Sequence, residues 1–202
     1  MNSTLMIKPE EFFKEKVSEA ISNQRLLISL DVESYIVNLL IEFIKPLKLE
    51  LTGSETDALD TPLAFILKAA TEAPPAQRLK IFKNMGDISL YLAGFFQDYF
   101  NRKLFDINYY ISMGSVAYEN VAQIVRNQHK DPHFADTFEK LSYRFEQLVE
   151  VVAEVSESPQ CGKPIDILST YDRWTRTHSD RLLRALNKVG IIPIDSNTRE
   201  KQ

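Results

Sequence analysis

Cysteine is almost missing from this chain of 202 residues: Cys161 is the only one. An internal disulfide framework and a cysteine-coordinated zinc site are both excluded. Glycine is scarce as well, and six in the whole chain favours helices over turn-rich β structure. Long apolar runs are missing. The longest, Val32–Ile44, is interrupted by Ser34, Asn38 and Glu42 and is too short to span a bilayer. The opening MNSTLMIKPEEFFKEK has no apolar h-region, so no secretory signal is expected and the cytoplasm is the expected location. Neither sign of charge dominates. A net charge of −4 gives no overall pull toward nucleic acid or an anionic membrane, so either would need a local patch.

Signatures of catalysis are missing too. There is no G-x-S-x-G elbow, no P-loop and no G-x-G-x-x-G. Cys161 stands in a Pro/Gly loop with no base near it in sequence, and reads as a bystander thiol. His129 and His133 are four residues apart, a spacing that on a helix lets two imidazoles share a metal. Pro132 between them marks a helix boundary instead. The glutamate of a zincin and the Glu-x-x-His of a di-iron bundle are both lacking. No catalytic residue, metal ligand or cofactor is therefore assigned.

What is present is a helical pattern. The length suits one domain burying roughly 70% of its unfolded surface. We expect a single all-α domain over residues 1–190, an irregular bundle of six to eight helices, with a tail at 191–202 that is disordered at its end. Pro9, Glu10 and Glu11 open a helix over about 9–23. Asp31 caps a second, which is apolar nearly all round, runs to about Lys45 and is expected to be central. Lys48–Asp60 reads as a surface loop. A third helix restarts at Asp60-Thr61-Pro62 and ends at Pro74-Pro75; a fourth covers about 75–100 and a fifth about 106–128. Phe134, Phe138, Leu141, Phe145, Leu148, Val152 and Val155 form an a/d seam, which predicts one long sixth helix. Glu139, Glu146, Glu150, Glu154 and Glu157 line its other side. Pro164 opens a last helical region reaching Lys188, which a break at Thr177–Asp180 would divide; Gly190 is placed to close it.

The centre of the chain, Phe82 to Tyr118, holds ten of the 21 aromatic residues, interleaved with Gly86, Gly94 and Gly114. Glycine inside a helix costs about 1 kcal/mol against alanine, so something must offset it. Close contact between the fourth and fifth helices is the simplest candidate. The functional alternative is a pocket with Gly86 and Gly94 as its floor, Tyr91, Tyr109, Tyr110 and Tyr118 as its walls, and Asp87 as its one charge. The simpler reading of Asp87 is a helix-start or core-edge carboxylate that accepts hydrogen bonds from backbone or tyrosine hydroxyls.

The last helical region is basic along one side. Arg173, Arg176, Arg181, Arg184 and Lys188 would share an arc of about 140° on a continuous helix, opposite Leu168, Tyr171, Trp174, Leu182 and Leu186. Such a face could dock an acidic partner or phosphates. It could equally be a solvated face, partly paired with the glutamate stripe.

Two blocks resemble a family of uncharacterised, all-helical bacterial proteins. One runs from Gly86-Asp87 to Ala117-Tyr118 through Gly94-Phe95-Phe96, Tyr109-Tyr110-Ile111 and Met113-Gly114. The other runs from Leu168 through Arg173-Trp174 to Gly190. The resemblance implies a bacterial cytoplasmic protein and brings no catalytic residue. The function expected is thus a non-enzymatic regulatory protein that binds another protein. A small-ligand pocket or enzyme, and nucleic-acid binding through the basic C-terminal helix, are the alternatives. Homo-oligomerisation is left open.

Overall fold

The computed structural model describes residues 8–44, 63–97, 106–128, 131–158, 170–171, 174–175, 177–188 and 190–193. These residues form helices and turns throughout, as an all-α chain requires. Eight helices are described: α1 (Pro9–Asn23), α2 (Leu30–Ile44), α3 (Leu63–Glu72), α4 (Pro75–Phe95), α5 (Ile107–Asn127), α6 (Pro132–Tyr143), α7 (Phe145–Ser156) and α8 (Asp180–Lys188). The chain divides into two compact units, Met1–Val155 and Ser156–Gln202, which are described separately. The Lys48–Asp60 loop, the start of the third helix at residues 60–62, His129, Cys161 and the tail from residue 194 lie outside the described residues. Among the described residues no helix is long and apolar enough to cross a membrane.

In the first unit α4 is the central helix. Met85, Gly86, Asp87, Ile88, Ser89 and Leu90 are buried in succession, so every side of its middle turns is covered. Its most extensive packing is against α5, and α5 in turn packs along α6. Capping fixes α5 tightly. The Asp106 carboxylate accepts from the Asn108 N–H at 2.9 Å, satisfying one orphan donor of the first turn. Asp131 does the same for α6, accepting from His133 and Phe134 at 3.0 and 3.1 Å, with Pro132 in the first helical turn.

Three expectations need correction here. Asp31 does not cap α2; the helix begins at Leu30, with Glu33 N–H bonded to Ser29 O at 3.0 Å, and Asp31 lies in its first turn. α2 contributes Val32, Ile36, Leu39 and Leu40 to the core but is not apolar on every side. Ser34, Asn38 and Glu42, four residues apart, form an exposed stripe along it. The long sixth helix is likewise two helices. It is interrupted at Arg144, whose backbone leaves ideal helical geometry at φ −103° and ψ 15°. The ladder nearly survives the jog, since Arg144 N–H still bonds Lys140 O and Leu148 N–H bonds Arg144 O, both at 3.0 Å. The seam therefore holds: Phe138, Leu141, Phe145, Leu148, Val152 and Val155 are all buried, and Phe134 at its start is half-buried.

The α1–α2 corner is held by hydrogen bonds. α1 ends with Arg25 N–H on Ser22 O and Leu26 N–H on Ile21 O, the paired bonds of a left-handed helix stop, with Arg25 at φ 54°. Glu154 of α7 accepts from Asn23 at 2.7 Å and Gln24 at 2.9 Å, tying the corner to the bundle.

The second unit has a small core of its own, Trp174, Leu182 and Leu186, with Tyr171, Leu183 and Ile191 against it. Its helical region is divided, as the Thr177–Asp180 signal allowed. His178 has φ 50°, and α8 starts afresh at Asp180. Gly190, at φ 82°, closes α8, with Ile191 N–H bonded to Leu186 O at 2.9 Å.

Candidate functional site

Asp87 lies in the middle of α4, not at a helix start, and its side chain is 10% exposed. A carboxylate so placed must be compensated by donors. Three groups meet it. The Tyr35 hydroxyl of α2 donates to Oδ1 at 2.5 Å, and the Tyr118 hydroxyl of α5 donates to the same oxygen at 2.8 Å. Lys83, one turn earlier on α4, donates to Oδ2 at 2.6 Å. One carboxylate thus joins three helices.

The rings around it hold the donors in place. Tyr35 and Tyr118 meet edge to face at 6.0 Å between centroids. Both stand edge to face with Phe138 of α6, at 5.2 and 5.3 Å between centroids, and the Phe145 ring of α7 lies 5.6 Å from that of Tyr118. The Lys83 ammonium sits 5.2 Å from the Tyr35 ring centroid, within cation–π range. Burial pushes both phenols well above the usual tyrosine range, and the negative charge of Asp87 adds to it. They are held as proton donors, unable to serve as bases near neutral pH.

The expected core-edge role of Asp87 fits this geometry, and Tyr118 was among its foreseen neighbours. Tyr35 and Lys83 were not. Lys83 was legible as an i, i+4 partner on the same helix. Tyr35 carried a weaker signal, a polar tip in a mostly apolar helix that needs a buried partner.

The glycines are close approaches. A Cβ on Gly86 would stand 2.5 Å from Tyr118 Cδ1. On Gly114 it would stand 2.7 Å from both Ser89 Cβ on α4 and Phe145 Cε2 on α7. On Gly94 it would meet Val152 Cβ of α7 at 2.6 Å. Contact between α4 and α5 explains Gly86 and Gly114; Gly94 faces α7 instead. The space beside each is taken by protein side chains.

The other proposed wall residues are dispersed. Tyr91 stacks on Phe43 of α2 at 4.3 Å and on Phe95 at 5.2 Å. Tyr109 and Tyr110 meet edge to face at 5.5 Å near the start of α5, nine and eight residues from Tyr118 and so about 12 Å or more along the axis. The Tyr109 hydroxyl accepts from the Ala64 N–H of α3 at 3.0 Å.

That bond ties Tyr109 to the start of α3, where the next residue, Phe65, is 66% exposed. Tyr109 and Val116, each 38% exposed, lie seven residues apart and so point nearly the same way. Asn108 and Ser112 share this exposed side, and no charged residue occurs from Ile107 to Tyr118. Over these three turns the exposed side of α5 is uncharged, and exposed Glu119 follows on the same side. The uncharged stretch was not singled out in the sequence, where its residues merge with the aromatic centre.

Of the basic arc, Arg173 and Arg176 lie outside the described residues. Arg181 is buried, and its Nη1 stands 2.5 Å from Glu157 Oε1, pairing with the glutamate stripe. Arg184 is half-buried and Lys188 exposed. Among the described residues no group of three His, Cys, Asp or Glu side chains is placed to hold a metal ion.

No protein-family model, curated protein or solved structure matches this chain.

Proposed function

We propose that this chain is a regulatory protein-interaction protein of the bacterial cytoplasm, without chemistry of its own, and that it docks a protein partner through the uncharged face of α5 together with Phe65. The exposure of Tyr109 and Val116 on an uncharged stretch of α5, with Phe65 exposed at the start of α3, carries this reading. Solvated helix faces ordinarily carry lysine and glutamate, whereas interface centres are poor in charge and rich in aromatics. Each aromatic ring can bury about 150–250 Å². Two rings and a valine make a hydrophobic centre for an interface of about 800 Å² a side, with polar residues as its rim.

The alternatives have less support. A ligand on the glycine floor would compete with Tyr118, Val152 and Phe145 for the same space. A phosphate-binding arc would need Arg181, which is buried against Glu157.

Photo-crosslinking tests the docking face. A photoreactive amino acid at Val116 should trap a discrete protein from a lysate of the source cells. The same group at Glu146, exposed on α7, should not. Phe65→Glu should abolish the Val116 product while leaving the helical circular dichroism unchanged. No product, or equal products from both positions, rejects the face.

A further inference from the structure

We draw no further inference here: the strongest candidate, the exposed apolar pair Leu27 and Leu30 on the α1–α2 corner, is an unpartnered surface patch, and nothing in the structure shows what covers it.

Discussion

The ring of Tyr118 occupies the space that any side chain at position 86 would need, and its hydroxyl bonds the carboxylate of the very next residue, Asp87. Two adjacent positions of α4 therefore seat one tyrosine of α5. The first yields room and the second accepts its hydrogen bond.

Gly86→Ala measures how tightly that seat is closed. On an open helix the change would stabilise by about 1 kcal/mol. Here the new methyl must displace a ring wedged against Phe138 and Phe145. Overpacking of this kind costs about 1–3 kcal/mol, and a weakened hydrogen bond adds about 1. A net loss of about 1–3 kcal/mol is expected in urea unfolding. A gain in stability would mean that the ring has slack.

Asp87→Asn keeps the shape and removes the charge. The carboxylate's three donors span α2, α4 and α5, and loss of the charge leaves Lys83 without its counter-ion there. We expect about 2–3 kcal/mol of destabilisation, with crosslinking at Val116 retained in the folded variant. An Asp87→Asn variant as stable as the parent but unable to form that product would make Asp87 a functional carboxylate.

Alkaline pH should weaken the fold through Tyr35 and Tyr118. Their phenols are raised in the folded state, so their contribution is complete below the unfolded tyrosine value of about 10 and is lost as pH rises above it. There the unfolded chain has released protons that the folded chain still holds. Stability then falls by about 1.4 kcal/mol per pH unit for each tyrosine. Urea midpoints between pH 9 and 11 should drop less steeply for Tyr35→Phe and Tyr118→Phe. Parallel slopes for parent and variants would contradict the assignment.

Charge reversal along the last helix should separate structure from surface. Arg181→Glu sets a second carboxylate against Glu157 at a buried position and should cost the second unit about 3–5 kcal/mol. Lys188→Glu, at an exposed position, should stay within about 0.5 kcal/mol. Trp174, the single tryptophan, lies in that unit's core, so its fluorescence reports the unfolding directly. Equal effects of the two variants would refute the buried pair.

Much of the helical framework was legible because its signals are local. The fifth helix starts beside Asp106 as expected, Pro132 marks a helix boundary, and the seam from Phe138 to Val155 is buried at the spacing read from the chain. The α2 stripe was legible too, but Ser34, Asn38 and Glu42 were read as interruptions when their four-residue spacing marks a solvent face. The jog at Arg144 had no such mark. Its sequence surroundings are compatible with a straight helix.

The sequence by itself determined that the chain is helical, where most of its described helices begin and end, and that glycines at positions 86 and 114 must meet something close. Only the tertiary structure decided what they meet. Tyr35 lies 52 residues before Asp87 and Tyr118 lies 31 after it. Periodicity defines a face on each helix but not its rotation or sliding against a neighbour. Those are set by how the side chains of several helices interlock. The same holds for Arg181: its place on a basic arc follows from spacing along one helix, while its burial depends on Glu157, 24 residues away.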